Sequence, residues 1–293
     1  MSWHNVIISN PAKLFLRNSN LVVAQENSAE IPLEDISAIV VETREAVITS
    51  ALLGRLAQEA VPVFFCDAVH IPSGVLLPFQ QHSRALKVLN AQFAQTEPFK
   101  KNCWKLIVQQ KIRNQAKCLE LLKLDGAEEL LAISGAVKSG DVTNREGTAA
   151  QFYFSSFMPS STRGTDDVLN SVLNYGYAII RGAVARSLTA YGFICSLGVH
   201  HKSELNAFNL ADDFIEAFRP VVDLWVGKNI QFFDELTTKE KSAIVSLLNK
   251  DVRIEGKRQT IYRAIEITAA SYVSAIKNNT PDMLQFPELI DFA

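Results

Sequence analysis

One histidine and three acidic residues lie close together in the sequence and could bind a metal ion. His201 precedes a segment that carries Asp212, Asp213 and Glu216. Imidazole and carboxylate groups together suit hard or borderline divalent ions. If the segment is helical, the three carboxylates lie on the same side of the helix. The pattern predicts a metal site. The alternative is a solvated acidic surface, in which the two aspartates complement the positive end of the helix dipole.

The acidic segment has signals for both ends of a helix. Asn209 is suited to be its N-cap, with Asp212 at the third helical position as in a capping box. Pro220 predicts that the helix ends or kinks there. We therefore expect Asp212 to stabilise the start of the helix. Glu216 would lie a full turn further in, where no terminal amide needs a partner.

A second carboxylate, Glu146, is predicted to face inward. Read as a helix, the following residues place Ala149, Ala150 and Tyr153 on the same stripe as Glu146. An ionised carboxylate on a packed face needs a cation, a basic side chain or a metal ion. A metal ion and an ion pair with a neighbouring arginine both satisfy this need. The arginines considered are Arg145, Arg181 and Arg186.

A longer series of residues, in order along most of the chain, resembles the integrases of CRISPR spacer acquisition. The series consists of Arg145-Glu146-Gly147, Ala149-Ala150, Tyr153-Phe154, Leu173-Asn174-Tyr175-Gly176-Tyr177, His201, Asp213-Phe214-Ile215-Glu216, Phe218-Arg219-Pro220 and Asp223. The part between Asn206 and Asp223 is similar to the type II branch in particular.

The resemblance implies which residues form the active site. In that family a Glu, a His and a final Asp or Glu bind a divalent metal ion, which corresponds here to Glu146, His201 and Glu216 as catalytic metal ligands. The implied ion is Mg²⁺ or Mn²⁺. Asp213 would support the site, and His200 is the alternative source of the imidazole.

The resemblance also implies an activity and partners. The protein would insert short DNA fragments into a CRISPR repeat array by 3′-hydroxyl transesterification. It would form a homodimer through its N-terminal domain. Its other partners would be the small dimeric CRISPR-associated adaptation protein and, in type II systems, the effector nuclease. Two alternatives are a metal-dependent nuclease that acts on branched or single-stranded DNA without joining, and a non-catalytic DNA-binding scaffold.

The sequence changes character near residue 80, which predicts two domains of an α+β protein. Residues 1–80 contain short segments rich in branched apolar residues, typical of β-strands, at 6–8, 13–17, 21–23, 36–41 and 61–66, with one helix at 49–59. Residues 81–293 have mainly helical periodicity, with a loop around 251–258. We expect a small β-rich domain for dimerisation, followed by a larger all-α domain for catalysis and DNA binding.

Positive charge is concentrated in residues 84–123, which contain nine Lys or Arg and two Asp or Glu. Part of it recurs at multiples of four residues, as in a stripe along one helix. A phosphate backbone is the natural partner of such a stripe. The alternative is an ordinary solvated helix face. The predicted DNA-binding residues are Arg84, Lys101, Lys105, Arg113 and Lys117.

Composition and the terminal segments indicate a folded cytoplasmic protein with no membrane segment. The sequence has 293 residues, of which 48% are hydrophobic and 20% charged, and no long apolar run. The four cysteines have no C-x-x-C spacing, which favours reduced, buried thiols. A long helix is predicted at 165–191, with Thr165 as N-cap and Asp166 and Asp167 in its first turn. Its glycines, Gly176 and Gly182, predict close approach by another helix.

Overall fold

The N-terminal part of the chain forms two four-stranded sheets. The computed structural model describes residues 4–59, 61–78, 84–159, 168–229 and 235–292. The strands of the N-terminal part are β1 (His4–Ile8), β2 (Lys13–Arg17), β3 (Asn20–Ala24), β4 (Ser28–Pro32), β5 (Ile36–Val41), β6 (Val47–Ile48), β7 (Val63–Cys66) and β8 (Pro72–Val75). Helix α1 (Ser50–Gln58) begins after Thr49, whose side chain accepts a hydrogen bond from the Leu52 amide.

The two sheets differ in strand direction. The first has the order β1-β5-β7-β8, in which β1, β5 and β7 are parallel and β8 is antiparallel to β7. The second has the order β4-β3-β2-β6, with β2, β3 and β4 antiparallel and β6 parallel to β2. Parallel neighbours require crossover connections, and α1 lies in the connection between β6 and β7.

Strand β5 contributes to two hydrophobic cores. Ile39 and Val41 pack into the core of the β-rich part, whereas Ala38 and Val40 belong to the core of the helical part. Successive side chains of a strand point to opposite faces, so a sheet with both faces covered is apolar at every position. This explains the uninterrupted apolar sequence at 38–41, and it places the helical part directly against the first sheet.

The remainder of the described chain is mainly helical. Its helices are α2 (Ala85–Phe93), α3 (Glu97–Leu122), α4 (Ala127–Gly135), α5 (Arg145–Phe157), α6 (Val168–Ala190), α7 (Asn209–Ile215), α8 (Arg219–Asn229), α9 (Thr238–Val245) and α10 (Ile261–Asn278). Helix α3 is central, because α4, α5, α7 and α8 all pack against it. The two elements that carry the predicted acidic ligands therefore meet at one helix.

The predicted α+β class is confirmed, with one correction to the helical part. A β-hairpin formed by β9 (Asp251–Ile254) and β10 (Lys257–Thr260) replaces the predicted loop. Its turn has positive φ at Glu255 and Gly256, the conformation of a tight two-residue hairpin turn. The predicted domain boundary near residue 80 lies outside the described residues. So do Thr165, Asp166 and Asp167, the predicted start of α6.

Two glycines of α6 allow close packing against neighbouring elements. A Cβ atom on Gly176 would collide with Val222 of α8, and one on Gly182 would collide with Phe64 of β7. Glycine costs about 1 kcal/mol relative to alanine inside a helix, and here that cost is offset by close contact. The predicted close approach by another helix is confirmed for Gly176, whereas at Gly182 the neighbour is a strand.

A buried ion pair joins the β-rich and helical parts. The Glu42 carboxylate, 5% exposed, contacts the ammonium of Lys241 on α9, which is 10% exposed. Glu42 also accepts a hydrogen bond of 2.9 Å from Ser9 Oγ. Because both charges are buried at the junction, removal of either leaves the other without its main partner.

We expect Lys241→Met to destabilise the protein by about 3–5 kcal/mol, the usual cost of leaving one member of a buried pair uncompensated. Thermal and urea unfolding measure this change. The double variant Glu42→Gln, Lys241→Met should recover much of the lost stability, because no unpaired charge remains. Equal losses in the single and double variants would show that the pair's charge is not the cause.

No helix within the described part of the chain is long and apolar enough to span a membrane. All four cysteines, Cys66, Cys103, Cys118 and Cys195, are free thiols. Burial raises the pKa of Cys66 and of Cys103 to about 12. The thiolate form is therefore strongly disfavoured at these two residues.

Candidate active site

The two predicted acidic ligands converge on a lysine. Lys111 Nζ lies 2.6 Å from Glu146 Oε1 and 2.5 Å from Glu216 Oε2. The three residues come from α3, α5 and the turn after α7, which are distant in sequence. Because both oxygens contact the same nitrogen, they are at most 5.1 Å apart. Glu146 and Glu216 therefore belong to one site, as the metal-site hypothesis requires.

Glu146 is held by the start of α5. Asp141 accepts hydrogen bonds from the amides of Arg145, at 2.8 Å, and Glu146, at 2.9 Å. The side chain of the N-cap residue Asn144 accepts a hydrogen bond from the Gly147 amide. These bonds satisfy the first amides of the helix. The considered pairing of Glu146 with an arginine is wrong, since its partner is Lys111.

Glu216 lies in a turn and not inside a helix. Helix α7 ends at Ile215, and α8 begins at Arg219 with Pro220 in its first turn, a favoured place for proline. Glu216 is therefore the C-cap residue of α7. Its Oε1 atom is 2.8 Å from Arg219 Nε, and the Arg219 guanidinium lies over the Tyr177 ring at 4.7 Å. The break at Pro220 is confirmed, and the placement of Glu216 in the helix interior is wrong.

The charges of this site determine the ionisation of Glu216. Burial alone would raise the pKa of the Glu216 carboxyl, but Lys111 and Arg219 outweigh burial and hold that pKa below its usual range. Burial would also lower the pKa of the Lys111 ammonium, but Glu216 and Glu146 keep it above its usual range. Both groups are therefore charged at neutral pH, and the buried site contains a true ion pair.

Asp213 organises the loop that carries the histidines. The Asp213 side chain is fully buried, and it accepts hydrogen bonds from the amides of Val199 at 2.5 Å, His200 at 3.1 Å and His201 at 3.1 Å. Gly198 precedes this loop, and a Cβ atom there would collide with the His201 carbonyl oxygen. Asp213 thus holds the histidine loop in position through its backbone amides.

The His201 ring is oriented by the same carboxylate. His201 Nδ1 is 2.8 Å from Asp213 Oδ1, and this contact uses one ring nitrogen and leaves Nε2 available. The hydrogen bond to Asp213 raises the pKa of the His201 imidazole. His200 is held differently, because its ring stacks on Trp104 at 4.2 Å and burial lowers its pKa. This geometry favours His201 over His200 as a metal ligand.

The acidic face of α7 is not a solvated surface. Asp213 is fully buried and Glu216 is 5% exposed. Asp212 forms an ion pair with Arg181 and accepts a hydrogen bond from Asn206, so it does not cap the helix. Asn209 is the first helical residue, and its side chain donates to the carbonyl oxygens of Ser196 and Ser203. The predicted capping box is therefore wrong, because the side chains of Asn209 and Asp212 bond to residues outside the helix.

The predicted basic stripe is divided by the packing of α3. Lys111 is buried, whereas Lys101 and Arg113 are exposed and Lys105 and Lys117 are partly buried. Lys101 and Lys117 are about 160° apart around the helix. Arg84, which precedes α2, is also exposed. The positive charge is therefore spread over different sides of a central helix, and the simple picture of a surface helix is wrong.

The donor set fits a divalent ion, with one obstacle. No three His, Cys, Asp or Glu side chains among the described residues are grouped so as to hold an ion, and Lys111 stands between Glu146 and Glu216. Glu216 Oε2 is buried, yet no donor meets it with hydrogen-bond geometry. A metal ion would supply the partner that this buried oxygen lacks. Carboxylates with one imidazole suit Mn²⁺ well and Mg²⁺ less well.

Lys111 and Asp141 are residues of the candidate site that sequence reasoning missed. Lys111 lies four residues after Ile107 and three after Val108, on the buried stripe of α3. A charged residue on an apolar stripe was the signal that identified Glu146, and it applies equally to Lys111. Asp141 had no comparable signal, because it follows Gly140 in a short 3₁₀ turn with irregular backbone angles.

The His201 pair gives the stability of the protein a pH dependence. The pKa of His201 is raised above 6.5, so its pairing with Asp213 stabilises the fold fully below pH 6.5. That contribution is lost as the pH rises through the raised pKa. We expect His201→Gln to flatten the fall in melting temperature above pH 6.5. His200→Gln is the control, and an equal flattening by both variants would exclude the His201 pair as the cause.

The chain matches a protein family over most of its length. The sequence model of the family described as "CRISPR associated protein Cas1" matches residues 6–253. The chain belongs to this family. It is similar to the CRISPR-associated endonuclease Cas1 of Neisseria meningitidis serogroup C (strain 8013), with 39% identity over 99% of the chain and 97% of that relative. The resemblance to proteins of CRISPR spacer acquisition is confirmed.

Solved structures share the fold at low sequence identity. A casposase bound to integration product has a TM-score of 0.77 and 18% identity, covering 95% of the chain and 91% of that structure's chain. A Cas6-RT-Cas1–Cas2 complex has a TM-score of 0.72 and 19% identity, covering 99% of the chain and 36% of the other. At these identities the likeness concerns the fold alone.

Proposed function

We propose that the chain is an integrase that inserts short DNA fragments into a CRISPR repeat array, with Glu146, His201 and Glu216 as the ligands of a divalent metal ion. The observation that carries the proposal is the convergence of Glu146 and Glu216 on one buried cation. His201 lies on a loop that is held by Asp213. Asp213 is a buried residue of α7, the short helix that Glu216 directly follows. Family membership and the integration product named for the casposase support joining chemistry.

The reaction exchanges one phosphodiester bond for another. The 3′-hydroxyl oxygen of the fragment attacks a phosphorus atom of the repeat, and the 3′-oxygen of the repeat strand leaves with a proton. One phosphodiester bond forms for each one that breaks, so the reaction requires no external energy source. When bound, Mg²⁺ or Mn²⁺ polarises the phosphoryl oxygen and stabilises negative charge on the attacking or leaving oxygen.

The residues of the chain supply position and charge. Glu146 presents its oxygens from α5 and Glu216 from the turn after α7, and Asp213 fixes the orientation of the His201 ring. Arg219 neutralises one oxygen of Glu216 and is itself held against Tyr177. A site built on packed elements keeps its donors in place before substrate binds.

The proposal is tested with a supercoiled plasmid that contains a CRISPR repeat, a short DNA duplex and the small adaptation protein. The purified chain should join the duplex to the repeat in Mn²⁺ or Mg²⁺ and show no joining in EDTA. Cleavage without joining in every condition would contradict the integrase proposal. Neither cleavage nor joining would indicate a DNA-binding scaffold.

A second candidate function is a nuclease that acts on branched or single-stranded DNA without joining. The name of the Neisseria relative, a CRISPR-associated endonuclease, favours it. The same three ligands would serve either reaction, because the attacking oxygen comes from water in one and from a 3′-hydroxyl in the other. The assay above separates the two by its products.

DNA binding is proposed for Arg84, Lys101, Lys105, Arg113 and Lys117. Arg84 precedes α2, and the other four lie on different sides of α3, so we expect two separable contributions from α3. We expect weaker DNA binding from each of two double variants, Lys101→Gln with Lys105→Gln and Arg113→Gln with Lys117→Gln. The slope of the logarithm of the binding constant against the logarithm of the salt concentration should become shallower by about 0.9 for each phosphate contact that is lost. Filter binding at several salt concentrations measures the slope. Lys13→Gln with Arg44→Gln, exposed on the β-rich part, is the control.

An unchanged slope in both double variants would make these residues an ordinary solvated surface. A change in only one of them would assign the DNA path to one side of α3. Each double variant contains one exposed residue of α3, Lys101 in the first and Arg113 in the second, so each variant reports on one side of the helix.

The partners follow from the proposed reaction. A fold neighbour is a complex with Cas2, which supports a partnership with the small dimeric adaptation protein. We also propose a homodimer through the N-terminal β-rich domain of residues 1–80, and a helical domain of residues 81–293 for catalysis. The type II effector nuclease is a further proposed partner. Sedimentation of the chain, alone and with each partner, tests these assemblies.

A further inference from the structure

Lys111 is set apart from the other basic residues of α3. Lys100, Lys101, Lys105, Arg113 and Lys117 are exposed or partly buried, whereas Lys111 is 8% exposed. Its ammonium contacts one oxygen of Glu146 and one of Glu216, at 2.6 and 2.5 Å. A buried lysine is costly unless it is paired. Both of its partners are predicted metal ligands, so this pairing bears directly on how a metal ion enters the site.

The charges around Lys111 are already balanced. Two carboxylates, Glu146 and Glu216, face two cations, Lys111 and Arg219. A divalent ion added to this group would leave an excess of two positive charges in a buried site. Carboxylate oxygens bind such ions at about 2.0–2.2 Å. An ion that shared the two oxygens with the ammonium would therefore lie close to it, and the two cations would repel strongly.

We propose that Lys111 is a built-in counter-ion that holds Glu146 and Glu216 together while no metal ion is bound, and that it is displaced when the ion binds. The inference rests on the proposed function and deepens it, since it names the residue that sets the metal affinity of the site. In the metal-free protein Lys111 prevents the repulsion of two neighbouring carboxylates. On metal binding the ion takes over that task, and Lys111 leaves the two oxygens.

The proposal predicts two opposite effects of one substitution. Methionine has a similar length, flexibility and helix propensity, so Lys111→Met removes mainly the charge. The metal-free variant should be less stable than the wild type, because Glu146 and Glu216 lose their shared cation. Its metal affinity should nevertheless be higher, because no ammonium has to be displaced. A residue that merely positioned the carboxylates would produce the reverse, a lower metal affinity.

The test is a titration of the purified chain with Mn²⁺ alone, followed by electron paramagnetic resonance, together with melting curves at each concentration. We expect Lys111→Met to bind Mn²⁺ at least about tenfold more tightly than the wild type. Its melting temperature should also rise more on Mn²⁺ addition. Lys111→Arg keeps the charge and should bind as the wild type does. Lys100→Met, on the same helix, is the control and should be unchanged.

Equal or weaker Mn²⁺ binding by Lys111→Met would overturn the inference. If the variant is unfolded without metal, folding on addition of Mn²⁺ supports the inference, and failure to fold at saturating Mn²⁺ contradicts it. The proposed function has a separate control in Glu216→Gln. If Glu216→Gln loses Mn²⁺ binding but Lys111→Met does not bind Mn²⁺ more tightly than the wild type, the counter-ion role alone is contradicted. Absence of Mn²⁺ binding in the wild type would overturn both.

Discussion

Glu216→Gln is expected to reduce strand joining by about 10²-fold or more. Even groups behind a metal ligand typically contribute 10- to 100-fold to affinity or activity, and Glu216 would contact the ion itself. The substitution also leaves Arg219 unpaired and Lys111 with Glu146 alone. We therefore expect a stability loss of about 1–3 kcal/mol.

Joining assays, Mn²⁺ binding and melting temperature together measure the Glu216→Gln effect. The matched control is Glu204→Gln, the same substitution at an exposed position of the loop before α7. It should leave all three properties unchanged. A Glu216→Gln protein that retains full joining activity would remove the metal site from this turn.

Asp213→Ala is expected to have the largest effect on stability within the site. The substitution leaves three loop amides without their acceptor, the buried one of Val199 and the partly buried ones of His200 and His201. An unsatisfied buried group costs about 1–3 kcal/mol, so the Val199 amide alone accounts for a loss of that size, and the other two amides and the lost His201 pair add to it. Joining should be lost as well, because the His201 ring loses the carboxylate that orients it.

Asp213→Asn separates positioning from simple loss of structure. The amide keeps the shape and one acceptor oxygen, so the fold should survive with weaker metal binding, by about 10- to 100-fold. The pKa of His201 should fall, because the hydrogen bond to Asp213 is the main cause of its rise. NMR titration of the imidazole measures that change. Asp212→Asn is the control, and an equal fall there would contradict a specific role of Asp213.

The two carboxylates of the candidate site were found from the sequence by different signals. Glu146 lies on an apolar helical stripe, whereas Glu216 was grouped with Asp212 and Asp213 and matched the family resemblance; both contact Lys111. Their immediate partner was missed, because Lys111 was counted among solvated charges and its burial depends on packing by α5 and α7. The position of a residue in its own helix does not reveal which distant elements cover it.

Local signals failed where tertiary contacts replaced them. The capping box at Asn209 and Asp212 satisfies the sequence rule, yet Arg181 takes the aspartate and two loop carbonyls take the asparagine. By contrast, Thr49 caps α1 as its sequence suggests, because no distant residue competes for its hydroxyl in the described structure. Capping rules therefore held for α1 at Thr49 and for α5 at Asn144, and failed for α7.

The β-rich part was predicted with fewer errors. Its predicted strands follow branched apolar segments, and β5 is apolar without interruption at 38–41 because both faces are covered. Strand β4 (Ser28–Pro32) was missed, since its residues are mostly exposed and include one branched apolar residue, Ile31. Pairing with β3 through backbone hydrogen bonds defines it, and such pairing leaves no pattern in the side chains.

The most direct test of the shared metal site is a crystal structure with Mn²⁺, in which anomalous scattering locates the ion. We expect one manganese peak within coordination distance of Glu146, Glu216 and His201 Nε2, with Lys111 Nζ withdrawn from both carboxylates. A peak bound elsewhere, or no peak at saturating Mn²⁺ with Lys111 still between Glu146 and Glu216, would contradict the metal site.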